Sequence, residues 1–146
     1  MAEQLVVGGN LAVGHGLEVA ADDVAWTADG KKIFACDWER LVSFDVLAMP
    51  SSQAIPFEAA EWVVDAEVSP DGKLLAAGDW LSTLRVWRTD SWELLHEVRV
   101  HSRRELRCLR FSPDGRKIYC ANQSQRLFVV DIESGAVESS AAGGVR

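Results

Sequence analysis

Ser69-Pro70-Asp71-Gly72 returns as Ser112-Pro113-Asp114-Gly115, and in looser form as Thr27-Ala28-Asp29-Gly30. The glycines fall at 30, 72 and 115, so the period is 42 and then 43 residues. A fixed period in the forties is the signature of a stacked or radial repeat. Pro-Asp-Gly between apolar runs is a turn with a mechanism. Proline presets φ, aspartate bonds the backbone beyond it, and glycine takes positive φ without steric cost.

The flanks agree in all three copies. Apolar or small residues stand four and six places before each glycine: Trp26 and Val24, Val68 and Ala66, Phe111 and Leu109. This period of two predicts a first strand. After the glycine comes a basic start and a mostly apolar run, as in Lys73-Leu74-Leu75-Ala76-Ala77-Gly78 and Arg116-Lys117-Ile118-Tyr119-Cys120-Ala121. Such runs suit a buried second strand. A third strand is predicted at 41–45, 84–88 and 127–131. A fourth is predicted at 94–100, with weaker signals at 54–59 and 136–140. Glu93–His96 is short and reads as strand rather than helix. Each unit is thus a four-stranded antiparallel meander, and the fold class is all-β.

These residues resemble the WD-repeat β-propeller family. The resemblance rests on Ser-Pro-Asp-Gly, the apolar second strand, and Leu84-Arg85-Val86-Trp87 in the third. It covers about residues 15–140, and the third copy also resembles the YVTN-type propeller repeat. It implies radial four-stranded blades. The chain then reads as a single partial-propeller domain, 1–146, with blade units near 15–50, 51–93 and 94–140. The family's Trp-Asp pair is reduced to Trp87-Arg88, Phe44-Asp45 and Val130-Asp131. Its aspartate before the third strand reads as missing, with Trp38, Leu81 and Ser124 at or near that place. The resemblance makes His15 and His101 structural residues that bond within a blade.

Three blades form an arc with two uncovered sides, because a radial repeat buries its blade faces only against neighbours. A few hundred Å² of apolar surface per side, at roughly 25 cal/mol per Å², amounts to several kcal/mol. The expected remedy is head-to-tail self-association, or a place within a larger propeller. Charge bears on the choice. Residues 1–50 carry 8 acids and 3 bases, residues 51–95 carry 8 and 3, and residues 96–146 carry 6 and 9, within a net charge of −7. An acidic first blade would attract a basic third blade from another copy. The alternative is that these are solvated charges on unrelated faces.

The acidic balance argues against nucleic acid as the main partner. The opening segment lacks the charge and apolar core of a signal peptide. No stretch reaches the length of a membrane span, so no membrane is expected. Cys36, Cys108 and Cys120 show no metal-like spacing and read as buried free thiols. A cytoplasmic setting fits. No histidine pair has metal-ligand spacing, and there is no nucleophile elbow or phosphate loop. Asp22 and Asp23 are adjacent, so on a strand they point to opposite faces. No cofactor and no metal are expected.

Trp38 and Trp80 both stand eight residues after their glycines. That spacing places them in the turn between second and third strands, on one rim. Tryptophan is enriched in interface hot spots. With Arg40, Arg103, Arg104 and Arg126 they make a candidate surface for docking other proteins. The competing reading folds the two indoles between blades as filler. Trp26, Trp62, Trp87 and Trp92 are expected in the core or between blades. The leading function is a non-catalytic protein-interaction scaffold. A channel-mouth hydrolase or lactonase is the alternative from another class. A truncated propeller fragment without an independent task is a third.

Overall fold

The computed structural model describes residues 10–13, 17–20, 23–36, 41–45, 52–54, 62–101 and 106–139. Among them there is no helix. A hairpin, β1 (Asn10–Val13) and β2 (Leu17–Ala20), precedes three four-stranded antiparallel sheets. Blade one contains β3 (Asp23–Trp26), β4 (Lys32–Cys36), β5 (Leu41–Asp45) and β6 (Ser52–Ala54). Blade two contains β7 (Val63–Val68), β8 (Leu74–Asp79), β9 (Thr83–Arg88) and β10 (Leu94–Arg99). Blade three contains β11 (Leu106–Phe111), β12 (Lys117–Asn122), β13 (Leu127–Asp131) and β14 (Val137–Ser139). Strands β6 and β10 bond back to β5 and β9, so each closes the sheet before it.

The recurring phrase builds the same turn three times. In blade two, Ser69 Oγ donates to Asp71 Oδ1 at 2.6 Å, and the Lys73 amide donates to the same oxygen at 3.0 Å. Ser69 Oγ also accepts from the Leu74 amide at 2.9 Å. The Gly72 amide donates to the Ser69 carbonyl at 2.8 Å. Thr27-Asp29 and Ser112-Asp114 repeat this geometry. The three glycines have φ of 69°, 75° and 71°, a region costly for any residue with a Cβ. The hydroxyl first, and then the backbone amide, hold the carboxyls of Asp29, Asp71 and Asp114 below their ordinary value of 3.8.

The core lies in two seams between blades. The first packs Ala25, Phe34 and Cys36 of blade one against Val63, Ala66, Val68, Leu75, Ala77 and Trp87 of blade two. Trp92 caps it, its ring edge-on to Phe34 with centroids 5.7 Å apart. The second packs Ala76, Leu84, Val86 and Val100 against Leu106, Leu109, Ile118, Cys120, Phe128 and Val130. Each fully buried large side chain contributes roughly 1.5–3 kcal/mol. Gly78 sits within this seam. A Cβ there would meet Leu106 Cδ1 at 2.8 Å and Leu109 Cδ2 at 3.1 Å, so the close approach of blade three needs a glycine.

The first strands β3, β7 and β11 lie side by side at the inner edge. Each is an edge strand, and its outward amides need acceptors. Blade two supplies them to blade three. Asp65 Oδ2 accepts from the Leu109 amide at 2.7 Å, and Glu67 Oε2 accepts from the Phe111 amide at 2.6 Å. Arg110 then donates to the Leu109 carbonyl at 2.7 Å and lies 3.5 Å from Asp65 and 3.8 Å from Glu67. Of the two outermost sides, that of blade one is buried at Ile33, Ala35 and Val42 but exposed at Trp26 beside Ile33. That of blade three is open at Tyr119 and Leu127.

Candidate interaction surface

The turn from β8 to β9 carries Trp80, and its rigidity starts from the residue before it. Asp79 ends β8 with 1% exposure. Its Oδ1 accepts from the Thr83 amide at 2.8 Å, and its Oδ2 accepts from Arg85 Nη1 at 2.9 Å. Arg85 Nε reaches on to Glu97 Oε2, also at 2.9 Å. The Ser82 amide donates to the Asp79 carbonyl, and Ser82 takes a φ of 65°. A buried carboxylate that meets a backbone amide and a guanidinium together fixes both ends of the turn. Asp79 thus braces the turn from the end of the second strand, one place before Trp80, while Leu81 stands within the turn itself.

Blade three repeats the device with an amide. Asn122 Oδ1 accepts from the Ser124 amide at 3.0 Å and the Arg126 amide at 3.1 Å. Asn122 Nδ2 is buried and finds no acceptor among the described residues. Phe128 occupies the place of Arg85 there, and the His101 ring stacks edge-on to it at 5.8 Å.

On this braced turn Trp80 stands 45% exposed. Its amide donates to the Trp62 carbonyl at 2.8 Å. The two rings meet edge to face, with centroids 5.7 Å apart at 69°, and Trp62 is likewise 45% exposed. Trp62 was expected in the core or between blades, as was Trp26, which is 53% exposed. Trp87 at 2% and the partly buried Trp92 do pack between blades. Arg126 is exposed in the equivalent turn of blade three. Trp38, Arg40, Arg103 and Arg104 lie outside the described residues.

The thiols divide differently from the expectation. Cys36 and Cys120 are buried, and burial pushes the Cys120 thiol up to about 12. Cys108 is exposed. A register shift between Leu106 and Cys108 breaks the alternation of β11 and turns that side chain outward.

Among the described residues no group of three His, Cys, Asp or Glu side chains is placed to hold a metal ion. No helix there is long and apolar enough to cross a membrane. What this surface offers is an aromatic pair on a hydrogen-bonded turn.

The profile of the WD domain, G-beta repeat family matches residues 55–88 and 92–131. The chain belongs to the WD-repeat family. The two matches take in blades two and three, where the Ser-Pro-Asp-Gly turns are complete. The chain is also similar to eukaryotic translation initiation factor 3 subunit I of Phaeosphaeria nodorum, with 33% identity over 108 residues. That alignment covers 74% of this chain and 31% of the relative. The chain thus spans less than a third of the length of the curated relative it matches.

Proposed function

We propose that this WD-repeat chain is a non-catalytic scaffold that docks other proteins through the blade-two rim. The carrying observation is the Trp62–Trp80 pair, two half-exposed indoles on a turn fixed by Asp79 and Arg85. Large aromatic rings on a rigid backbone give contact area at little entropic cost. Arg126, on the matching turn of blade three, steers an approaching partner. Trp38, Arg40, Arg103 and Arg104 extend the surface in this reading. Resemblance to an initiation factor subunit supports a partner that is itself part of a multi-subunit assembly. Three free thiols fit the reducing cytoplasm.

Residues 1–146 act in this reading as one partial propeller. The open side of blade three is covered in use, either by self-association or by further blades. The hydrolase reading is weaker. Asp65, Glu67 and Arg110, gathered at the inner edge, bind backbone and one another.

Affinity capture with quantitative mass spectrometry tests the docking reading. The W62A/W80A chain is expected to lose proteins that the wild-type chain retains, while W26A keeps them. Equal capture by all three chains contradicts the rim as the docking surface.

A further inference from the structure

Blades two and three sort their charges along the strand direction. At the end that carries the Asp-Gly turns, acids and bases lie close together. Asp71 stands two residues from Lys73, Asp114 two from Arg116, and Arg88 reaches Glu93 at 3.4 Å. The opposite end, which holds the Trp80 turn, differs. Arg126 stands in the matching turn of blade three. Arg99 pairs in register with Thr83, where the Trp80 turn enters β9. Arg107 follows Leu106, which pairs with Asn122 at the start of the blade-three turn. All three arginines are exposed. Among the described residues of these blades, the carboxylates near this end are Asp65, Asp79 and Glu97. Asp65 holds the Leu109 amide, while Asp79 and Glu97 share Arg85. Arg99 and Arg126 form no ion pair with a described residue. This rim is therefore locally cationic on a chain whose net charge is −7.

We propose that the rim receives an extended acidic segment of a partner protein, with one apolar side chain in the Trp62–Trp80 corner and a carboxylate on Arg126. The two indole planes meet at 69°, so they form a corner that holds a single ring or branched side chain. Sheets packed face to face stand about 10 Å apart, and an extended chain rises about 3.3 Å per residue. An Asp or Glu about three residues from the apolar anchor therefore reaches from the blade-two turn to Arg126 on blade three. The Arg126 guanidinium takes that carboxylate through two parallel hydrogen bonds. Arg99 and Arg107 flank the path and raise the positive potential along it. The inference rests on the reading that this rim docks proteins, and it adds the chemistry of the partner.

Two other ligand chemistries fit less well. A basic or methylated-lysine segment would also favour an indole corner, but the arginines beside it repel a cation. Single-stranded nucleic acid stacks successive bases on aromatic faces that lie one after another. Indoles set at 69° serve one group and not a row of bases. A long run of phosphates would also extend beyond the arginines over a chain that is acidic as a whole.

Fluorescence anisotropy with labelled synthetic peptides tests the proposal on the full chain. One peptide carries a Phe with Glu residues about three places to either side. A second has Lys in place of Glu, and a third has Ala in place of Phe. A short oligouridylate stands for nucleic acid. The chain is expected to bind the acidic peptide, and the other two peptides at least about tenfold more weakly. Arg126→Glu is expected to weaken the acidic peptide at least about tenfold and to strengthen the Lys peptide, with a wild-type melting curve. Arg126→Gln, which keeps the reach without the charge, is expected to fall between. No binding of the acidic peptide, or equal binding of the Glu and Lys peptides, overturns the proposal. Tighter binding of oligouridylate overturns it in favour of nucleic acid. Peptide binding unchanged by Trp62→Ala with Trp80→Ala overturns both the proposal and the docking rim. Proteins captured through the two tryptophans, yet retained equally by Arg126→Glu, overturn the acidic partner and leave the rim standing.

Discussion

Asp65 on β7 accepts the amide of Leu109 on β11 at 2.7 Å, across 44 residues of sequence and from one blade to the next. With Glu67 and Phe111 it forms a two-point clasp that closes the open edge of the third blade. Apolar seams bring the blades together without direction. The clasp sets their register, because carboxylates two residues apart on one strand face amides two residues apart on its neighbour.

Asp65→Ala leaves a buried amide without its acceptor, and is expected to cost about 1–3 kcal/mol. Asp65→Asn keeps an accepting oxygen and is expected to cost less. Urea unfolding followed by tryptophan fluorescence measures both. Equal midpoints for wild type and Asp65→Ala would show that the clasp carries no stability.

The turn aspartates set the acid limb of stability. The carboxyls of Asp29, Asp71 and Asp114 are held below the unfolded value of 3.8, chiefly by the hydroxyl two residues before each. Folding therefore favours their ionised form. Their contribution is complete above about pH 3.8 and is lost as pH falls through the lower folded values. Melting temperature between pH 2.5 and 5 is expected to drop toward the acid end. The drop is expected to be shallower when Asp71 and Asp114 are both changed to Asn. An unchanged profile in that variant contradicts the assignment.

Thiol chemistry reads the seams directly. Of the three cysteines, Cys108 is exposed and the other two are buried. A thiol-reactive chromophore is expected to label one site quickly in the native chain and three in denaturant. Replacing Cys108 with Ser is expected to abolish the fast phase. Fast labelling of that variant would place Cys36 or Cys120 outside its seam.

Much of the fold was legible because the turn carries its own chemistry. Serine or threonine, aspartate and glycine at fixed spacing specify the local hydrogen bonds without help from distant residues. The site was less so, since its parts belong to different strands. Trp80 could be placed on a rim from its distance to Gly72, whereas Trp62 became its neighbour only through a backbone bond across strands. The bracing role of Asp79 was not legible, because the residue that caps the turn is the last residue of the strand before it and its partner Arg85 lies on the next strand. Cys108 looked buried by strict alternation, and a register shift reversed it. The charge contrast between blades suggested contact between copies, but Arg110 of blade three turns to Asp65 and Glu67 within the chain.

The tryptophans separate core from surface. Trp87→Ala empties the first seam and is expected to cost about 3–5 kcal/mol. Trp80→Ala removes one edge-to-face contact, worth about 0.5–1.5 kcal/mol. Thermal and urea denaturation rank the two. A Trp80→Ala loss as large as that of Trp87→Ala would make Trp80 a structural residue.

The most direct measurement is hydrogen–deuterium exchange of the chain, alone and bound to a protein retained by the wild type in affinity capture. The account predicts slowed exchange at Trp62, at 79–83 and at 122–126, the two braced turns and the strand entry beside them. Unchanged exchange at those segments, with protection confined to other parts of the chain, would contradict it.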